Sequence, residues 1–117
     1  MLFNLQGKKI TSLDLPFVKE YLKVDYEDED RIIEAFTLAA YSYVETTLGY
    51  KITDQWPNTQ DIPDELTIAC LLIIAHWFDN RQMQTSGMLG DEIKFAVTNI
   101  IEAHKTPLKD YVPEEEI

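Results

Sequence analysis

The chain has 117 residues, a length that fits one domain and leaves little room for a second. With 45% hydrophobic and 26% charged residues it has enough apolar material for one core, which excludes a wholly disordered chain. Ten lysines and arginines against 21 aspartates and glutamates give a net charge of −11, and this balance argues against binding to nucleic acid or to an anionic membrane.

The first helix is predicted for residues 15–24, and the ten N-terminal residues are expected to be extended. Asp14 is a suitable N-cap, and Pro16 lies in the first turn, where its missing backbone N–H is tolerated. The apolar residues recur at the 3/4 spacing of one helical face: Leu15, Val18 and Leu22.

The second helix is predicted to run from Asp28 to Leu48. Acidic residues at its start suit the positive end of the helix dipole, and Gly49 can provide a left-handed C-terminal cap. The connection from Tyr50 to Pro63 is rich in turn formers, and its length indicates either a functional loop or a short extra turn. The apolar stripe of this helix has a 3.6-residue period: Ile32, Ile33, Phe36, Ala39, Ala40, Tyr43, Val44 and Leu48.

The third predicted helix, Asp64 to Arg81, is apolar on nearly all sides. Between Leu66 and Phe78 only Thr67 and His76 are polar. A helix of this kind must be surrounded, so it is expected to be the central core helix or part of a subunit interface.

A flexible loop is predicted for Gln82 to Gly90, followed by a fourth helix from Asp91 to His104 and a mobile tail from Lys105 to Ile117. The fold class that follows is all-α: one domain, residues 1–117, with about four helices around the central apolar helix. The apolar face of the fourth helix is formed by Ile93, Ala96, Val97, Ile100 and Ile101.

The sequence offers little support for catalysis, a cofactor or a metal site, and we expect none of them. His76 and Asp79 could form an acid–base or metal pair, but the zinc-protease pattern H-E-x-x-H is absent, which favours a histidine hydrogen-bonded at the edge of the core. The acidic run at residues 25–30 lacks the glycine that an EF-hand calcium loop needs at its sixth position. Cys70, the only cysteine, lies in an apolar run where a thiol is usually inert.

The most distinctive segment is the end of the third helix, with the sequence HWFDNR at residues 76–81. Its aromatic residues could complete the core, or they could anchor a protein–protein interface, where tryptophan and arginine often dominate the binding energy. The sequence leaves both interpretations open. The interface candidates in this segment and the loop after it are Trp77, Phe78, Asn80, Arg81, Met83, Met88 and Leu89.

In four segments the sequence resembles the small head–tail connector proteins of long-tailed phages. These segments are SLDLPFVKEYLKVDYEDED, IIEAFTLAAYSYVETTLG, IPDELTIACLLIIAHWFDNRQ and DEIKFAVTNIIEAHK, and together they extend from about Leu13 to Lys105. The residues that match the family patterns are Lys19, Leu22, Lys23, Val24 and Asp25 in the first segment, Ala39, Ala40, Val44, Leu48 and Gly49 in the second, and Pro63, Ala69, His76, Trp77, Phe78, Asn80 and Arg81 in the third.

The resemblance implies a structural role without catalysis. Subunits of such proteins form a ring beneath the portal of the head, provide a platform for the tail-completion protein, and line the passage of the DNA without binding it specifically. The expected location is therefore the head–tail joint of the virion, and the host cytoplasm during assembly, with no membrane association.

A second hypothesis from another class is a small acidic binding module, such as a DNA-mimic inhibitor of a basic host protein. That function would need carboxylates arrayed along one surface, and the net charge of −11 alone does not show such an array.

Overall fold

The computed structural model describes residues 4–80 and 89–105, and every regular element in these two ranges is helical. The predicted all-α class is confirmed. The α-helices are α1 (Leu15–Leu22), α2 (Asp30–Leu48), α3 (Ile52–Gln55), α4 (Asp64–Asp79) and α5 (Asp91–Glu102), and two 3-10 turns are formed by Ile10–Ser12 and Thr59–Asp61. The predicted mobile tail beyond Lys105 and most of the predicted loop before α5 lie outside the described residues.

Two predicted caps are confirmed, and they fix where α1 begins and α2 ends. Asp14 Oδ1 accepts the backbone N–H of Phe17 at 3.0 Å. Gly49 has φ 88°, the left-handed conformation in which glycine is not strained, and its N–H bonds to the carbonyl of Glu45.

Four helix boundaries differ by two residues each from the sequence-based prediction, among them the ends of α4 at Asp79, where Arg81 was predicted, and of α5 at Glu102, where His104 was predicted. Helix α1 stops at Leu22 because Lys23 adopts the left-handed conformation, φ 63°, and α2 begins at Asp30 because Glu29 is not helical. The segment at residues 4–10 is not simply extended, since Gln6 and Gly7 form a turn with φ values of 55° and 78°.

Helix α4 is the centre of the fold, as predicted, and it packs against α1, α2, α5 and the first 3-10 turn. Its buried residues point in most directions around the helix axis: Leu66, Thr67, Ala69, Cys70, Leu71, Ile73, Ile74 and Trp77. One narrow side stays partly open, where Ile68 is 42% exposed. Burial raises the pKa of the Cys70 thiol to about 12, so it stays protonated at neutral pH and is a poor nucleophile.

The N-terminal segment is fastened to the start of α4 by a buried lysine. The Nζ of Lys9 donates to the carbonyl oxygen of Ile62 at 2.9 Å and to the carboxylate of Asp64 at 2.7 Å. A second ion pair, between Lys19 and Asp30 at 2.7 Å, joins α1 to the first turn of α2. The bonds of Lys9 hold the segment at residues 9–14, in which Ile10, Leu13 and Asp14 form one wall of a surface groove along α2.

The connection between α2 and α4 contains the short extra turn that its length indicated, namely α3 and the second 3-10 turn. It also holds the end of α5 in place. The hydroxyl of Tyr50 donates to the carbonyl of His104, and the ring of Trp56 lies 6.0 Å from that of Tyr50 and 6.4 Å from that of His104. Residues beyond α2 and α5 are thus packed together at one end of the bundle.

Candidate assembly surface

Trp77, one of the sequence candidates for an interface, lies in the core of the protein. Its side chain is 2% exposed. Its ring lies 6.4 Å from that of Phe36 and 6.2 Å from that of Tyr43, the latter in an edge-to-face arrangement. Burial therefore favours the core interpretation for Trp77.

The neighbouring candidates surround the end of α4. Asn80 caps this helix, since its side-chain amide donates to the carbonyl of His76 at 3.0 Å. Phe78 is half-buried and lines a shallow groove with Tyr21 and Ala75, whereas Leu89 is buried. Arg81, Met83 and Met88 lie outside the described residues.

His76 is hydrogen-bonded at the edge of the core, as the sequence favoured. Its Nε2 accepts the backbone N–H of Gly90 at 2.9 Å, which ties the end of α4 to the start of α5. A Cβ at position 90 would lie 3.0 Å from Cε1 and 3.2 Å from Nε2 of His76, so any other residue there would push the imidazole away by a few tenths of an ångström. Because Nε2 is occupied by this bond, His76 is not available there as a base or as a metal ligand.

Within residues 4–80 and 89–105, the structure contains no group of three or more histidine, cysteine, aspartate or glutamate side chains arranged to hold a metal ion. The same part of the chain contains no helix with both the length and the apolar content needed to cross a bilayer.

Two large apolar side chains are exposed to solvent on the outer sides of α2 and α5. Leu38 is 70% exposed and Phe95 is 71% exposed. Both lie out of phase with the apolar stripes of their own helices, so neither can reach the core. Neither residue was among the interface candidates from the sequence, although each is a large apolar residue outside the periodic stripe of its helix, which is a signal that the sequence contains.

Beside Leu38 the structure forms an open groove of about 670 Å³ between α2 and the N-terminal segment. Its apolar lining comes from Ile10, Leu13 and Leu15 on one side and from Leu38 and Tyr41 on the other. The volume falls within the range of about 300–1,000 Å³ typical of pockets that bind a small molecule, so the groove can receive one large side chain.

The carboxylates at this groove differ in their surroundings. Asp14 binds Lys8 at 2.9 Å and caps α1, and these hydrogen bonds, that from Lys8 first, lower the pKa of Asp14 below its ordinary value of 3.8. Glu34, by contrast, has no ion pair or side-chain hydrogen bond within the described residues. It is exposed and remains available to a partner.

Taken together, the chain is a small all-helical protein whose distinctive surface features are exposed apolar side chains and a groove, as in a protein that assembles with other proteins. A family model described as "Phage gp6-like head-tail connector protein" matches residues 12–111. The chain belongs to this family of phage connector proteins, which have a structural role in virion assembly. No curated protein and no solved structure matches the chain.

Proposed function

We propose that this protein is the subunit of an oligomeric ring that joins the portal of the phage head to the tail. The observation that supports the ring most directly is the exposure of Leu38 and Phe95 on two different helices. A ring needs two different faces on every subunit, one for each neighbour, and apolar residues on different helices can provide them.

The partners implied are further copies of the chain, the portal protein on one side and a tail-completion protein on the other. The ring would line the passage for DNA without binding it specifically. The net charge of −11 supports this part of the proposal, since an acidic wall repels the DNA phosphates and lets the duplex slide. The place of action would be the head–tail joint of the virion, after assembly in the host cytoplasm.

The proposal is tested by measuring the mass of the purified protein by light scattering over a wide concentration range, alone and with purified portal. Electron micrographs of the same samples show whether the particles are rings. We expect oligomers that grow with concentration or that appear on the portal. A protein that stays monomeric at every concentration and does not bind the portal would contradict the proposed function.

The alternative function, a DNA mimic, is less well supported. On the outer side of α2, the exposed Glu34 lies between the exposed Arg31 and Leu38. This mixed surface is not the row of carboxylates that imitation of a DNA strand requires, and the exposed apolar side chains favour assembly instead.

A further inference from the structure

The outer side of α2 presents a defined series of residues. Leu38 is its exposed apolar residue; Glu34 lies one turn before it and Arg31 two turns before it. All three are exposed, and the two charged side chains have no ion pair within residues 4–80 and 89–105. In a free subunit, this face therefore presents one exposed apolar side chain, Leu38, and two charged side chains without an ion pair among the described residues.

The outer side of α5 presents a series with the same spacing in the opposite chain direction. Phe95 is its exposed apolar residue; Asn99 lies one turn after it and Glu102 two turns after it. The side chain of Asn99 has no hydrogen bond within the described part of the chain. Glu102 lies 3.5 Å from Lys105, but both side chains are half-exposed or more, and such pairs contribute little.

We propose that α5 of one subunit packs antiparallel on α2 of a second copy, with Phe95 inserted beside Leu38 into the groove. This contact rests on the proposed function and specifies which surfaces join neighbouring subunits. Because residues four and seven positions apart lie about 6 and 10.5 Å apart along any α-helix, the two series match when the chains run in opposite directions. The remaining pairs are then Asn99 with Glu34 and Glu102 with Arg31.

The charges decide the direction. In the antiparallel arrangement Arg31 gains a carboxylate, and the Asn99 amide can donate to the Glu34 carboxylate. A parallel arrangement with the same apolar contact would place Asp91 over Glu34 and Glu102 over Glu45. Like charges placed opposite each other at an interface repel, so the parallel arrangement is disfavoured.

The occupant that fits this face is a second copy. The charged and apolar residues on the outer side of α2 match in spacing and charge those on the outer side of α5 of the same chain, and the two series lie on different helices. When two different faces meet, the first and the last subunit of a row each keep one unused face. Further subunits can therefore add by the same contact until the row closes into a ring.

A charge-exchange experiment tests the pairing. Arg31→Glu adds an acid to the start of α2 and Glu102→Arg adds a base to the end of α5, and both changes suit the dipoles of their helices, so the fold is retained. Each single variant places like charges opposite each other and is expected to weaken assembly about tenfold or more. Light scattering measures the assembly, both for the protein by itself and for the protein mixed with purified portal. The double variant restores the pair with the charges reversed and is expected to assemble within about threefold of the original protein.

Controls with the same change of charge lie at the shallow groove beside Phe78, and they do not line the groove on α2. Lys23→Glu and Asp79→Arg replace exposed residues and are expected to leave assembly unchanged. Phe95→Ala removes the inserted ring and is expected to weaken assembly about 30-fold, the effect of losing a strong interface anchor. The matched control Tyr26→Ala removes an exposed aromatic residue elsewhere and is expected to have no effect.

A cross-linking experiment tests the two-face geometry separately. Leu38→Cys and Phe95→Cys, mixed under mild oxidation, are expected to form a disulfide-linked dimer, whereas neither variant alone forms one. The native Cys70 does not interfere, because it is buried and its pKa is raised to about 12. Dimers formed by either variant alone would indicate a symmetric contact and would overturn the proposal.

The remaining outcomes distinguish a failure of the proposed contact from a failure of the proposed function. If the original protein forms rings and the variants at positions 31, 95 and 102 do so equally well, the contact is wrong and the proposed function survives. A double variant no better than the single ones would exclude the antiparallel register. Loss of portal binding by Phe95→Ala with self-assembly intact would assign the face to another protein, also against the proposal. A strict monomer without portal binding overturns both.

Discussion

The end of α4 and the outer sides of α2 and α5 differ in what their large apolar residues do. At the end of α4, Trp77 is 2% exposed and packs against aromatic rings of α2. On the outer sides, Leu38 and Phe95 are 70% and 71% exposed and have no place in the core. Residue type alone therefore does not identify an interface; the position of a residue relative to the buried stripe of its helix is the more useful indicator.

The sharpest way to test this difference is to truncate Trp77. Trp77→Ala is expected to lower the free energy of unfolding by about 3–5 kcal/mol, because a buried ring is removed and a cavity remains. Urea unfolding at a concentration where the protein is monomeric measures this loss. A variant with unchanged stability but defective assembly would show that the core interpretation is wrong and that Trp77 anchors an interface.

The fold was predictable to the extent that it depends on local signals. The apolar stripe and the glycine cap placed α2, and Asp14 placed the start of α1, because caps and periodicity act within a few residues. For α4, the periodicity of apolar residues does not distinguish a core helix from an interface helix, because a helix that is apolar on all sides has no polar face. Leu38 and Phe95, the residues of the proposed assembly surface, were not predicted from the sequence for a related reason, since neither belongs to the apolar stripe of its helix.

The bond between Lys9 and the start of α4 was beyond prediction from local patterns, because it joins residues far apart in the sequence. Lys9→Ala is expected to lower the free energy of unfolding by about 1–3 kcal/mol, as the buried carbonyl of Ile62 loses its donor. Thermal or urea unfolding checks the size. Hydrogen exchange of residues 9–14 should increase as well, and unchanged protection there would contradict the proposed role of Lys9 in holding the groove wall.

The control for Lys9 is Lys8, which binds only an exposed carboxylate. Lys8→Ala is expected to change the free energy of unfolding by less than about 1 kcal/mol, since exposed ion pairs contribute little. Equal losses for both lysines would mean that charge, and not the buried hydrogen bond to Ile62, stabilises the N-terminal segment.

Asp14 lines the groove, and its carboxylate accepts the backbone N–H of Phe17 and so caps the start of α1. Asp14→Ala is expected to cost about 1 kcal/mol through the loss of the N-cap. Because the folded-state pKa lies below the ordinary value of 3.8, the stabilisation is present above that pH and is lost as the pH falls through the folded-state pKa. Unfolding measured from pH 6 to pH 2 should therefore show the two proteins converging in acid; a difference that is independent of pH would contradict this.

The smallest effect on stability is expected where the effect on assembly is largest. Phe95→Ala removes a side chain that is already 71% exposed, so little apolar surface is lost from the core, and the free energy of unfolding of the monomer should change by less than about 0.5 kcal/mol. Measured beside Trp77→Ala at the same dilution, this variant separates folding from association. A loss of more than about 2 kcal/mol would show that Phe95 supports the fold of the monomer, because a loss of that size is expected for a buried aromatic residue and not for an exposed one.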